Sequence, residues 1–126
     1  MSAGAEAVLA LYRDRINLHH FDELRPLIAD DALFWFGDGS HEGIEAIRQA
    51  FEATWSVLTD ETYWLDDLRW LALNDKASVC TYRFHWRATV RGALSTGTGR
   101  GTSVLMPRPS GWRIVHEHLS AAPALG

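Results

Sequence analysis

The stretch Gly111-Trp112-Arg113-Ile114-Val115-His116-Glu117-His118-Leu119-Ser120 largely determines the predicted fold. It follows a Pro-Arg-Pro-Ser-Gly turn at 107–111 and has the length of a strand. Alternation places Trp112, Ile114, His116 and His118 on one face, and Arg113, Val115, Glu117 and Leu119 on the other. Both faces mix apolar and polar groups, whereas a strand with one wet face shows a cleaner division. The pattern therefore predicts a central strand that is covered on both sides.

Three more long strands are predicted before this one: Thr62 to Leu73, Ala77 to Val90, and Ser95 to Met106. Asn74-Asp75 and Arg91-Gly92 between them are typical hairpin turns. Gly97, Gly99 and Gly101 share one face of the third strand. Glycines placed in this way allow sharp curvature or the close approach of another group.

The first half of the chain predicts three helices. Apolar residues at helical spacing mark a first helix up to Ile16, with Ser2 placed to cap it. A short second helix follows from about Asp22. A third runs from Ile44 to Ser56 with apolar residues on one face. A short hairpin, formed by Ala32 to Phe36 and His41-Glu42, joins the second and third helices. Helices followed by an antiparallel meander indicate an α+β fold, with a curved sheet wrapped around the helices.

Composition limits the class of protein. The 126 residues predict a single domain, 1–126, and 47% hydrophobic residues are enough for a buried core. The formal net charge is −4 without a clustered basic run, which argues against a nucleic-acid partner. No stretch reaches the ~18 apolar residues of a membrane span, and the N-terminus carries no signal pattern. We therefore expect a soluble, cytoplasmic protein in which the lone Cys80 is a core residue.

Three segments carry a family resemblance: 27–32 (Leu-Ile-Ala-Asp-Asp-Ala), 43–47 (Gly-Ile-Glu-Ala-Ile) and the final strand. With them the chain resembles the nuclear transport factor 2-like superfamily, and within it the SnoaL-like domains, over nearly its whole length. The resemblance implies a cone-shaped, cystatin-like roll: helices packed in a strongly curved antiparallel sheet that encloses a pocket. It also implies a homodimer formed through the outside of the sheet.

Related enzymes imply site positions. Similarity to ketosteroid isomerases puts Tyr12 at their oxygen-binding tyrosine. Phe36 takes the place of their basic aspartate, with Asp38 two residues further on, and Ser103 takes the place of their acidic donor. Similarity to SnoaL-like cyclases puts Leu119 where their base lies, and the association domain of calmodulin-dependent kinase II also matches Ser103 and Leu119 to its pocket. The comparison implies that Arg113, Val115, Glu117 and Gly101 share this inner face.

Tyr12, Asp38 and Glu117 are the candidate catalytic residues, because a carboxyl buried in an apolar cavity has a raised pKa and can move protons. Each has a structural alternative: helix packing for Tyr12, an Asx turn for Asp38, and a salt bridge to Arg113 or to a helix residue for Glu117. The candidate pocket lining is Trp35, Phe36, Phe51, Trp55, Tyr82, Phe84, Ser103, Val115 and Leu119.

The outer face of the predicted sheet carries His116 and His118, a spacing that suits a metal, but no third ligand is evident nearby and His85 is the only candidate for it. Hydrogen bonding is the alternative, and neither a metal nor a cofactor is predicted. Arg83, His85, Arg87 and Arg100 make this face positive. Trp112, Ile114, Val104 and Met106 give it an apolar patch, which predicts the homodimer.

Three functions stay open: binding of a hydrophobic small molecule, cofactor-free proton transfer on such a molecule by isomerase, cyclase or dehydratase chemistry, and homo-oligomeric assembly. An apolar pocket with a carboxyl near Tyr12 favours proton transfer, and Glu117 paired with Arg113 favours assembly. We expect neither ketosteroid isomerase nor SnoaL-type cyclase activity, because Phe36 and Leu119 cannot exchange protons and Ser103 is a weak donor.

Overall fold

The computed structural model describes residues 4–122, so Ser2 lies outside the described residues. Two α-helices and six strands follow one another along the chain: α1 Ala5–Arg15, β1 Ile28–Phe36, β2 Gly39–Glu42, α2 Ile44–Val57, β3 Thr62–Leu73, β4 Ser78–Val90, β5 Ala93–Arg108 and β6 Gly111–Ala121. The strands form one curled sheet in the order β2-β1-β6-β5-β4-β3. The α+β prediction is confirmed, and β6 is an interior strand as predicted.

The predicted second helix consists of two single 3₁₀ turns, Phe21–Glu23 and Arg25–Leu27. Pro26 lies in the second turn, where it removes a backbone N–H donor. The chain then enters β1 directly, and Leu24 and Leu27 are buried in the core. The segment is amphipathic enough to pack but too short for a regular α-helix.

The sheet is mixed rather than wholly antiparallel. β1 pairs in parallel with β6, with Phe34 beside Glu117, while the other neighbouring strands pair antiparallel. The antiparallel prediction is therefore wrong for this pair. Because α2 and the whole meander separate β1 from β6 along the chain, no local pattern indicated their direction.

A β-bulge in β6 reverses the predicted alternation of faces. Val104 pairs with His116 and Leu105 pairs with Ile114, which leaves Val115 as the extra residue. Ile114 is fully buried in the core together with Leu105, so its assignment to the outer face is wrong. Since Arg113 pairs with Met106, it lies on the face opposite Ile114, and its assignment to the inner face is also wrong.

Three aromatic side chains lie directly over three glycines on the inner face of the sheet. Tyr82, Phe84 and Trp86 of β4 pair with Gly101, Gly99 and Gly97 of β5, in that order. A Cβ atom at any of these glycines would overlap the ring of its partner. The close approach predicted for the glycines is confirmed, and it allows the sheet to carry large rings on a strongly curved surface.

The core lies between the two helices and the inner face of the sheet. α1 contacts β6 and β3, and α2 contacts β1 and β2. Tyr12 of α1 and Ile47, Phe51 and Trp55 of α2 are buried among residues from the strands. The apolar stripe of α2 predicted from the sequence is therefore the stripe that packs. The two helices leave part of the inner sheet surface uncovered, and a cavity lies there.

Candidate functional site

An aromatic cavity of about 340 Å³ lies between α2 and the inner face of the sheet. Its aromatic lining comprises Phe36, Phe51, Trp55, Tyr63, Phe84 and Trp86. Leu119 and Ile16 extend the apolar wall, and three acidic residues, Asp38, Glu61 and Glu117, are also part of the lining. Predominantly apolar walls with a few polar groups are typical of sites for small organic molecules.

Glu117 is the buried acid of the cavity, with 1% of its surface exposed. Its Oε2 accepts a hydrogen bond from the Tyr12 hydroxyl at 3.1 Å. Its Oε1 lies 3.2 Å from the Tyr82 hydroxyl and 3.3 Å from Ser103 Oγ, and these two hydroxyls are 2.7 Å apart. Four elements, α1, β4, β5 and β6, thus converge on one carboxyl group. An ionised carboxylate offers about four lone-pair sites, so three hydroxyls leave it able to take one more partner.

Burial decides the protonation of this group. Removal from water raises the pKa of Glu117 from 4.5 to about 7, although the hydrogen bonds from Tyr12, Tyr82 and Ser103 act to lower it. Burial, together with the charge of Glu117, also raises the pKa values of Tyr12 and Tyr82 well above 10, so both remain donors. Near neutral pH Glu117 is therefore present in both its charged and its neutral form, which is the condition for general acid–base catalysis.

The structure does not bring Asp38 together with Tyr12 and Glu117. Asp38 lies at the edge of the cavity with an exposed side chain, and its Oδ1 accepts a hydrogen bond from His41 Nε2 at 3.0 Å. Of the three candidate catalytic residues, the fold therefore joins only Tyr12 and Glu117.

The predicted lining is divided by the structure into three groups. Phe36, Phe51, Trp55, Phe84 and Leu119 line the cavity. Tyr82 and Ser103 lie behind Glu117 as its hydrogen-bond partners, and Val115 is partly buried in the bulge. Trp35 is on the opposite face, 42% exposed, with its ring 5.1 Å from His116 and 5.4 Å from His118. Its assignment to the pocket is wrong, because Phe34 and Phe36 take the inward positions of β1.

Tyr63 is one of the lining residues absent from the predicted set, together with Ile16 and Glu61. It lies on β3 opposite Trp86, and its ring stacks on Phe84 with centroids 6.1 Å apart. A signal was present: period-two alternation in β3 puts Tyr63 and Leu65 on one face and Trp64 on the other. The predicted lining included no residue of β3.

The structural alternative for Glu117, an ion pair with Arg113, is excluded. Arg113 donates instead to the backbone oxygens of Trp112 and Ser110, at 2.7 and 3.2 Å. The bulge at Val115 explains this, because it places Arg113 and Glu117 on opposite faces of the sheet.

The histidines of the outer face do not assemble. His116 Nδ1 donates to the Leu33 carbonyl at 2.6 Å. His85 lies 3.0 Å from Thr98 Oγ1 and stacks on Trp64. Within residues 4–122, no three His, Cys, Asp or Glu side chains are grouped closely enough to hold a metal ion.

The outer face is polar and basic at its centre. Arg83 and Arg100 pair directly across β4 and β5 and, with His118, border a second cavity of about 350 Å³. Of the four apolar residues expected on this face, Ile114 lies in the core and Trp112 packs against it. The second cavity opens among charged side chains and lacks a buried acid or base, so the aromatic cavity is the better candidate site.

The fold and the site define a cone-shaped α+β pocket protein with one buried carboxyl at the base of an aromatic cavity. The family model of the SnoaL-like domain matches residues 5–124, and the chain belongs to this family. No protein of curated function matches the chain. Among the described residues, none of the helices has the length and apolar character needed to cross a bilayer.

Solved structures with the same fold extend the comparison. A nuclear transport factor 2-like superfamily protein from Salmonella enterica is 24% identical, with a TM-score of 0.85 over 95% of this chain and 89% of that chain. A candidate dehydratase from Streptomyces avermitilis is 14% identical, with a TM-score of 0.84 over 96% of both chains. A candidate ketosteroid isomerase from Shewanella frigidimarina is 18% identical, with a TM-score of 0.79 over 94% of this chain and 95% of that chain. At these identities the likeness shows the fold alone.

Proposed function

We propose that the protein binds a hydrophobic small molecule in the aromatic cavity and moves a proton on it without a cofactor. Glu117 is the acid–base group. The observation that carries this proposal is the Glu117 carboxyl, buried at an aromatic cavity and hydrogen-bonded to Tyr12. An apolar cavity with a carboxyl near Tyr12 is the arrangement that favours proton transfer.

The reaction class is isomerisation, cyclisation or dehydration, each of which requires proton movement at carbon next to an activating group. Ionised Glu117 takes a proton from the ligand carbon, and neutral Glu117 returns a proton at a second position. The hydroxyls of Tyr12, Tyr82 and Ser103 stabilise the charged form without leaving their places. The fold neighbours named as candidate dehydratase and ketosteroid isomerase fall within the same range of chemistry.

The details differ from those of a ketosteroid isomerase. Tyr12 occupies the matching helix position, but its hydroxyl is directed to Glu117. Phe36 lines the cavity where the isomerases keep their base, and Ser103 lies behind Glu117. The proton-transfer group therefore lies on the central strand β6 and not after β1. Glu117 would thus act on a different carbon of the ligand from the one that the isomerase base attacks.

A generic carbon acid tests the proposal. 2-Tetralone is a flat bicyclic ketone whose benzylic protons next to the carbonyl exchange readily. Exchange into D₂O, followed by NMR, should be accelerated by the protein and should fall ~10²-fold or more in Glu117→Gln. The exposed Asp38→Asn variant is the matched control and should retain the wild-type rate. Equal rates in wild type and Glu117→Gln would remove Glu117 from the chemistry.

We also propose that two copies associate through the outer face of the sheet. Trp35 and Trp64 are exposed there, and large exposed aromatic side chains are enriched at protein interfaces. This evidence for a dimer differs from the apolar patch expected from the sequence. Of that patch, only Val104 and Met106 lie on the outer face of the sheet. Association on this face leaves the aromatic cavity open, so it is compatible with catalysis.

A further inference from the structure

Proton removal beside a carbonyl places negative charge on the carbonyl oxygen, and that oxygen needs a hydrogen-bond donor. The hydroxyl groups nearest to Glu117 are already engaged. Tyr12 donates to Oε2, while Tyr82 and Ser103 contact Oε1 and each other. Each hydroxyl has one proton to donate, so the ligand oxygen requires a different group.

Tyr63 has a hydroxyl group that is not engaged. The residue lines the aromatic cavity, and within residues 4–122 its side chain makes no hydrogen bond. Its backbone is held on both sides by Asn17, whose Oδ1 accepts from the Tyr63 N–H at 2.7 Å and whose Nδ2 donates to the Tyr63 carbonyl at 2.8 Å. Stacking on Phe84 orients the ring. The hydroxyl is therefore a positioned donor without a protein acceptor.

Tyr63 and Glu117 line the same cavity. Burial and the negative charge of Glu117 raise the pKa of Tyr63 well above 10, so the phenol remains protonated. This shared cavity has a volume of about 340 Å³, and within residues 4–122 no hydrogen bond joins the two residues. A reacting carbon within ~3 Å of the base and an oxygen within ~3 Å of the donor is the geometry that carbon-acid catalysis needs.

We infer that Tyr63 donates the hydrogen bond to a carbonyl oxygen of the ligand while the adjacent acidic carbon lies at Glu117. The inference rests on the proposed function and names its substrate class: a flat, apolar ketone or related carbonyl compound. Tyr63 thereby takes the part that the resemblance to ketosteroid isomerases had implied for Tyr12. The indole N–H of Trp86, which lies over Gly97 in the same wall, is the competing donor.

Binding of a matched probe pair tests the donor. 2-Tetralone and tetralin share one bicyclic frame and differ in the carbonyl group. Quenching of tryptophan fluorescence gives both affinities for wild type, Tyr63→Phe and Trp86→Phe. We expect wild type to prefer 2-tetralone ~10-fold, as one well-placed hydrogen bond in an apolar site allows. Tyr63→Phe should lose this preference with unchanged tetralin affinity, and Trp86→Phe should keep it.

A spectroscopic measurement separates donation from packing. The ¹³C resonance of carbonyl-labelled 2-tetralone should move downfield in wild type and return toward its free position in Tyr63→Phe. Exchange of the benzylic protons should fall ~10²-fold in the same variant. Unchanged tetralin affinity shows that the cavity of the variant is intact.

Four outcomes of these experiments would overturn the inference. If Tyr63→Phe keeps the preference, or if Trp86→Phe loses it, the donor is another group and the proposed function stands. If wild type binds both probes equally, no carbonyl donor is present, although the cavity still binds apolar molecules. If neither probe binds and no exchange is accelerated, the proposed function itself fails and this inference fails with it.

Discussion

The hydroxyl of Tyr12 donates a hydrogen bond to Oε2 of Glu117 over 3.1 Å, between residues 105 positions apart in the chain. It joins α1 to the central strand β6 inside the cone. Tyr12 is a packing residue of the core and a ligand of the acid at the same time. The bond therefore couples the docking of the first helix to the ionisation of the only charged side chain that is fully buried within residues 4–122.

Glu117 should make stability depend on pH. Its pKa is higher in the folded protein than its ordinary value, so its contribution is fully present below pH ~4.5 and is lost as pH rises through about 7. The rise corresponds to roughly 3 kcal/mol. Urea unfolding across this window should show wild type losing free energy of unfolding relative to Glu117→Gln. Parallel curves would contradict the prediction, and Asp38→Asn, which removes an exposed carboxylate, should run parallel to wild type.

Tyr12→Phe should shift the pH dependence of 2-tetralone exchange upward. The Tyr12 hydroxyl lowers the pKa of Glu117, so its removal raises that pKa further and leaves less of the charged base at neutral pH. The midpoint of the rate–pH profile measures the shift. A profile with unchanged midpoint would show that the Tyr12 bond does not favour the charged form.

Gly99→Ala should destabilise the fold by about 1–3 kcal/mol, as overpacking does. A Cβ at this position would overlap the Phe84 ring and the backbone carbonyl of Ser120, so the sheet backbone or the ring must shift. Gly37→Ala is the control, because a Cβ there meets no atom within 4 Å. Thermal unfolding of the pair measures the difference, and equal losses would refute the tight contact.

Light scattering should find a particle of about twice the 14.2 kDa chain mass, independent of modest dilution. Trp64→Glu places a charge on the outer face and should yield the monomer. Val57→Glu, at the exposed end of α2, should leave the dimer intact. A monomer in wild type, or a dimer that survives Trp64→Glu, would contradict association through this face.

A β,γ-unsaturated ketosteroid should not be turned over at the rate of an inherited isomerase. Phe36 replaces the base, and the Tyr12 hydroxyl is directed to Glu117 rather than into the ligand space. The assay follows formation of the conjugated ketone by absorbance. Substantial turnover that is lost in Asp38→Asn would show that the residue at the cavity edge acts as the base after all.

Much of the architecture was predictable from local pattern. Period-two alternation, hairpin turns and helical spacing placed β3 to β6 and α2 to within a few residues, and the mixed polarity of both faces marked β6 as central. The three glycines of β5 predicted the close approach of another group, since only glycine leaves room for a large ring from the neighbouring strand. Tyr12 and Glu117 were identified through the resemblance to related enzymes, which implied that both face the interior.

Only the tertiary structure decided which groups meet. One extra residue at Val115 reverses the alternation of β6, so Ile114 enters the core and Arg113 leaves the inner face. The parallel pairing of β1 with β6 and the outward position of Trp35 depend on strands that are far apart in sequence. Alternation is a local property that a single bulge inverts, and hydrogen bonds such as Tyr12 to Glu117 follow from packing. The sequence thus determined the elements and the polar groups, while the fold decided that Tyr12 and Glu117 meet in the interior and that Asp38 stays exposed.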